Sequence, residues 1–479
     1  MEFPYLKPGP DDTAPLYLQL YRRYRDAIAA GKLAAGDRVP SVRSLASELN
    51  LARGTVELAY QMLTSEGYFS PRGAAGTFVS PQLTHLADTT PASEVSSPVQ
   101  SSPSPDEQIA IGLPRPFQLG LPALDAFPRK TWVRLAGRHL RTMDMTSMAY
   151  PDASGYGALR EAIATYLGIS RGIVCTASQV FVTAGYRSAL DLVRRTLLKP
   201  GDAGWFEDPG YRFARQFLVS AGMHLRPVPV DDEGLRVDEG IRRAPDARFA
   251  VVTPTHQSPT GVTLSLPRRL QLLEWAARQG AWIVEDDYDS EFRYHGRPLP
   301  ALKSLDRDDR VLYTGTFSKV LFPGLRLAYL VVPAAHIEKF ADAARQLGGA
   351  GAIPVQATVA DFMAQGHFAR HLRRMRALYA ERREFLVAAL SEVFGDDLHV
   401  QPQAGGIHAL AYLGGALTDC SDVSIAAAAH AQGLAVHALR HWRVRQGKTS
   451  GLLMGFTNIP DFATALSLSR RLKAAIPAD

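Results

Sequence analysis

Lys319 stands in Gly315-Thr316-Phe317-Ser318-Lys319, directly after the apolar, strand-like run Val311-Leu312-Tyr313-Thr314. A second such run, Trp282-Ile283-Val284, ends on Glu285-Asp286-Asp287-Tyr288. A lysine amine and a carboxylate at the carboxyl ends of neighbouring strands are what pyridoxal phosphate requires. The amine forms the Schiff base, and the acid keeps the pyridine nitrogen protonated. That chemistry serves either turnover or sensing.

The elements that must position these groups are legible as a pattern. Strand-like runs at 180–183, 249–253, 282–284, 311–314 and 327–332 alternate with helical stretches such as 188–198 and 267–279. Strands separated by helices imply parallel βαβ units and a mostly parallel sheet covered on both faces, with the ligand beyond the strands' carboxyl ends.

Ahead of this lies a different pattern. Leu16, Leu20, Tyr24, Ala27 and Ile28 share one helical face, and Gly31 marks a stop. Ser41 suits the N-cap of a second helix with Val42, Leu45, Ala46 and Leu49 inward; a third carries Val56, Ala59, Tyr60 and Leu63. The turn Leu49-Asn50-Leu51-Ala52 has helix-turn-helix length, and residues 69–79 read as a small hairpin, or wing. Burying the apolar face of the third helix leaves Arg53 and Thr55 at its N-terminus for base edges. Arg38 and Arg43 are placed for phosphates, and Arg72 with Gly76 brings the wing to the backbone or minor groove.

From Ser80 to about Asp106, Ser, Pro, Thr and Ala dominate, a composition that cannot offset its ordering entropy and reads as a linker. We expect a DNA-binding domain over 1–80, a linker over 81–107 and a large domain over 108–479. At 479 residues the chain exceeds one ordinary core, and 46% hydrophobic residues is a globular composition. A net charge of +6 is only mildly basic over this length and decides nothing about nucleic acid. Cys175 and Cys420, the only cysteines, lie far apart and outside any metal-ligand spacing, so neither a disulfide framework nor a zinc site is suggested. The start Met1-Glu2-Phe3-Pro4 has no signal-peptide pattern, and no apolar run approaches membrane-spanning length. The expected location is the cytoplasm.

The segment from Thr316 to Arg326 resembles the Schiff-base lysine segment of fold-type I aminotransferases, with Arg326 as the arginine that grips the phosphate. Thr183-Ala184-Gly185-Tyr186-Arg187 resembles the family's phosphate-binding turn, and Glu207-Asp208-Pro209-Gly210-Tyr211 the loop whose ring stacks on the pyridine. The resemblance implies Asp286 for the pyridine nitrogen and Tyr288 for the 3′-oxygen, with Asp287 and Asp289 as neighbours open to confusion with Asp286. It also makes Thr316 part of the cofactor site. Tyr150, in the segment Tyr150 to Arg160, is similar to a tyrosine that reaches the other subunit's phosphate. Two features depart from the family. Ser258-Pro259-Thr260-Gly261 has serine where asparagine is usual, and no arginine stands in the segment 451–456, where the substrate carboxylate is commonly bound. Arg440, Arg215 and Arg212 are the substitute candidates.

The stretch from Gly31 to Ala46, continued by Leu51 to Val56, Glu66-Gly67-Tyr68 and Gly76 to Val79, resembles GntR-type winged-helix regulators. Both halves together resemble the MocR subfamily. The resemblance implies a transcriptional regulator with pyridoxal 5′-phosphate on Lys319 as an aldimine, sensing the cofactor or an amino compound. It further implies a head-to-tail homodimer and a double-stranded operator with repeated half-sites. The alternative is an aminotransferase carrying a DNA-binding appendage.

Overall fold

The computed structural model describes residues 6, 14–81, 113–294, 299–349, 351–445, 447 and 449–476. The chain divides into two compact units, Met1–Pro103 and Ser104–Asp479. Apart from Pro81, the expected linker lies outside the described residues, as does the opening Met1–Pro4.

The first unit holds α1 (Leu16–Ala29), β1 (Arg38–Val39), α2 (Val42–Leu49), α3 (Arg53–Ser65), β2 (Phe69–Pro71) and β3 (Thr77–Val79), the strands forming an antiparallel sheet in the order β1-β3-β2. Ser41 caps α2: its Oγ accepts the Ser44 N–H at 3.1 Å. Asn50 ends that helix in the left-handed conformation (φ 53°), where a short polar side chain is tolerated, so α3 starts after a three-residue turn. The rings of Tyr24, Tyr60 and Phe69 meet edge to face with centroids 5.1–5.7 Å apart, and the two phenols hydrogen-bond at 3.0 Å. This core joins α1 and α3 to the wing.

In the second unit an eight-stranded sheet comprises β4 (Val180–Thr183), β5 (Ala203–Asp208), β6 (His224–Asp231), β7 (Gly234–Leu235), β8 (Phe249–Val252), β9 (Trp282–Asp287), β10 (Val311–Thr316) and β11 (Ala328–Val331). Their order is β4-β11-β10-β9-β8-β5-β6-β7. The block β10-β9-β8-β5-β6 is parallel, while β11 is antiparallel to both β10 and β4. The stretch 317–327 is too short to carry a crossover helix, so the chain turns straight back. Helices Tyr186–Leu197 and Leu266–Gln279 lie close to their expected positions, and buried apolar clusters line both faces. Sequence periodicity missed β5, β6 and a four-stranded antiparallel sheet of β12 (Leu398–Val400), β13 (His408–Leu413), β14 (His437–Ala438) and β15 (Gly451–Gly455).

Candidate functional site

Six connections converge beyond the carboxyl ends of the parallel strands. β10 leads to Lys319, β9 to Asp286 and Tyr288, β4 to Gly185, β5 to Tyr211, and β8 to Ser258. Because β11 runs backwards, its amino end lies at this same edge and delivers Arg326 there.

The Lys319 ammonium donates to the Gly120 carbonyl at 2.8 Å. Burial lowers its pKa, against the opposing pull of Asp289 and Asp286. Gly120 (φ +74°) was not foreseen: a Cβ there would stand 2.5 Å from Nζ. The pair is 199 residues apart in sequence, so no local pattern announces it.

The pleat of β9 sends the neighbouring acids to different surroundings. Asp287 points to the opposite face, where Arg171 Nε lies 3.0 Å away and the Tyr313 hydroxyl donates to it at 2.6 Å. Asp289 faces His256. Asp286 turns toward Tyr186 and Tyr211. Burial pushes its pKa up to about 8; Tyr186 pulls the other way, and Asp287, Glu207 and Asp289 add to the rise. Tyr211, whose pKa burial raises to about 12, lies with its ring centroid 6.2 Å from that of Tyr186.

Gly185 (φ +112°) caps the helix Tyr186–Leu197, and the Arg326 guanidinium rests against it. A Cβ at position 185 would approach that guanidinium to 3.3 Å. The structure therefore has a helix start with a glycine in place of a side chain and a cation resting against it, which suits a phosphate. Arg187 and Arg326 both act on the Tyr211 phenol. Thr316 Oγ1 accepts the Ser318 N–H at 3.1 Å and shapes the lysine loop. The residues present thus fit pyridoxal phosphate: an anion cradle, a buried acid and an amine arranged around an aromatic ring.

Behind this set lies a knot that sequence reasoning overlooked. Gln257 Nε2 donates to Glu207, Pro209 and Ser258, and its Oε1 accepts from Thr260, which ties the Tyr211 loop to the Ser258 loop. Glu207 also accepts from Thr253, while burial pushes its pKa up to about 7. Ser258 is buried and acts on the Tyr288 phenol, and the Tyr288 hydroxyl meets His256 Nδ1 at 3.0 Å. The one available signal was a run of polar residues, Thr255 to Ser258, following a wholly apolar strand.

The remaining expectations separate. Arg215 donates to the carbonyls of His441 and Trp442. Arg212 is buried with its guanidinium 5.2 Å from the Trp442 ring centre and acts on Tyr211. Arg440 is exposed. Tyr150 is fully exposed and is not brought to the Lys319 site of its own chain. In the first unit Arg38, Arg43, Arg53 and Arg72 are all exposed and Thr55 half-exposed. Gly76 (φ +104°) packs on the Arg38 guanidinium, and Arg72 lies over Phe78 with 5.0 Å to the ring centre.

The sequence matches the family "Bacterial regulatory proteins, gntR family" over residues 16–79 and "Aminotransferase class I and II" over residues 124–449. It is 38% identical to the probable rhizopine catabolism regulatory protein MocR of Rhizobium meliloti, over 94% of this chain and 91% of that one. It is 32% identical to the HTH-type pyridoxine biosynthesis transcriptional regulator PdxR of Corynebacterium glutamicum, over 94% of this chain and 93% of that one. Among solved structures, the alpha-aminoadipate aminotransferase LysN of Thermus thermophilus superposes with a TM-score of 0.67 at 28% identity, covering 75% of this chain and 91% of that one. The chain belongs to the MocR subfamily of GntR-type regulators, a winged helix-turn-helix fused to a fold-type I aminotransferase domain. It is a pyridoxal-phosphate-dependent transcriptional regulator, and the reading as an aminotransferase with an appendage is not favoured.

Proposed function

We propose that this MocR-type regulator holds pyridoxal phosphate on Lys319 and converts the arrival of the cofactor, or of an amino compound, into a change of operator affinity. The observation that carries this reading is the meeting of Lys319, Asp286, Tyr288, Tyr211, Gly185 and Arg326 at one sheet edge. Arg326, Arg187, Thr316 and the amides after Gly185 hold the phosphate. Tyr211 covers the ring, Asp286 binds the pyridine nitrogen, and Tyr288 with Ser258 faces the 3′-oxygen. When bound, the cofactor supplies an aldehyde able to condense with a primary amine. A desolvated Lys319 is more readily neutral, hence nucleophilic, at neutral pH.

An amino compound competes with Lys319 for that aldehyde. LysN was crystallised in complex with N-(5′-phosphopyridoxyl)-L-leucine, an adduct of this kind in that protein. Arg212 lies beside Tyr211 and Arg215 donates to two backbone carbonyls; both, with Arg440, are candidates for a carboxylate. A ligand acts only through its differential affinity for the DNA-competent and incompetent states, typically about 1–3 kcal/mol of coupling. In a head-to-tail homodimer, with Tyr150 reaching across to the other subunit, two winged helices engage repeated half-sites through Arg53, Thr55 and the phosphate-facing Arg38, Arg43 and Arg72. Such a regulator works in the cytoplasm. Among the described residues no helix is long and apolar enough to cross a membrane.

The test is an absorbance titration with pyridoxal phosphate, on wild type and Lys319→Ala, beside binding to the protein's own upstream DNA. A lysine-dependent band with altered DNA affinity supports the reading. A band without any DNA response to the cofactor or to a panel of amines removes the sensing function.

A further inference from the structure

His256 is buried directly behind Tyr288, and one atom of it meets two neighbours. Its Nδ1 lies 3.0 and 3.1 Å from the two oxygens of Asp289 and 3.0 Å from the Tyr288 hydroxyl. The Asp289 side chain is wholly inaccessible to solvent. A carboxylate accepts and does not donate, so the proton of this contact belongs on Nδ1. A protonated Nδ1 offers no lone pair, so it cannot accept the proton of the Tyr288 phenol. That proton is left to point elsewhere.

The other ring nitrogen supports this tautomer. Nε2 is buried and has no hydrogen-bond partner among the described residues, and the ring lines a small cavity with Thr255, Phe292, Arg293 and Gly406. A proton on Nε2 would be a buried, unsatisfied donor, whereas a bare nitrogen costs less. The titratable and charged groups that face the imidazole are Asp289, Tyr288, His408 at 5.6 Å between ring centres, and Arg293 across the cavity. Burial holds the pKa of His408 down to about 4. Its neutral ring donates from Nε2 to the Pro259 carbonyl at 3.0 Å instead of competing for Asp289.

We propose that His256, locked by Asp289 with its proton on Nδ1, is a positioning residue that aims the Tyr288 hydroxyl proton into the cofactor site. The assignment rests on the cofactor reading above. A phenol donating to the cofactor's 3′-oxygen stabilises the anionic form of that oxygen, so losing the aim raises the pH at which the bound cofactor loses its proton.

The experiment follows the lysine-dependent absorbance band of the full-length chain with pyridoxal phosphate against pH. Asp289→Asn and His256→Phe should move the midpoint upward by about one unit, a tenfold change in proton affinity. His256→Asn, whose amide N–H can replace the Nδ1 donor, should return it most of the way. A band with an unchanged midpoint in His256→Phe overturns the assignment while leaving the cofactor reading intact. A wild type without a band overturns both. Should the variants fail to fold, ¹⁵N NMR of the histidines in the ligand-free wild type still decides: a resonance for His256 with Nε2 protonated at neutral pH overturns the proposal.

Discussion

Asp286 and Asp287 are consecutive on β9, yet the two faces of the sheet treat them in opposite ways. On one face Asp287 is met by the Arg171 guanidinium and the Tyr313 hydroxyl, while Glu291, which accepts from Tyr166, lies 3.8 Å from the same arginine. On the other face Asp286 meets a phenol and the fields of three further carboxyls, and its pKa rises to about 8. A buried acid already neutralised by protein is part of the frame. A buried acid without a fixed guanidinium is suited to a cation that a ligand brings.

The comparison breaks first at Asp287. Asp287→Ala leaves Arg171 buried without its closest carboxylate, and the expected loss is about 3–5 kcal/mol in urea unfolding of the full chain. A loss below about 1 kcal/mol would erase the distinction between the faces. Asp286→Asn should behave inversely. It removes a desolvated carboxyl, leaving unfolding unchanged or slightly improved, and weakens pyridoxal phosphate by about 10–100-fold through loss of one charge-assisted bond.

Acidity sharpens the contrast further. On the proposed reading, the Asp286 carboxyl, its pKa pushed up to about 8 by burial, would below that pH supply the proton that the pyridine nitrogen needs; above it, that proton would be drawn from solution. Cofactor affinity measured calorimetrically should therefore fall as pH rises through about 8, by up to about tenfold per unit, and this alkaline limb should vanish in Asp286→Asn. The smallest effect belongs to water-exposed chemistry. Ser41→Ala removes the bond to Ser44 and should cost the winged helix about 1 kcal/mol in thermal unfolding, with cofactor affinity unchanged.

These differences also mark what could be read from the sequence. Strands wholly apolar and buried, such as β8 and the start of β9, announced themselves. β6, His224-Leu225-Arg226-Pro227-Val228-Pro229-Val230-Asp231, did not, because charges and prolines suit a strand near the sheet edge. Lys319 and Arg326 were legible because their loop is contiguous. The choice among Asp286, Asp287 and Asp289 needed the pleat. Gly120 and His256 act through contacts with distant or non-adjacent groups, so nothing in their own neighbourhood named a role. The separation of Arg212 from Arg215 likewise depends on Trp442, far along the chain.

The backward course of β11 makes the loop before it a ruler. Lys319 hangs from the end of β10 and Arg326 from the start of a strand laid against it in fixed register, with Thr316 opposite Ala328. Changes of residue type at 320–325 alter packing and little else in the span. One residue added or removed would either displace the arginine from Gly185 or slip β11 by a step and turn each of its side chains to the wrong face. This segment should therefore tolerate drift in composition while remaining constant in length, so among descendants of this gene its substitutions should accumulate without gaps.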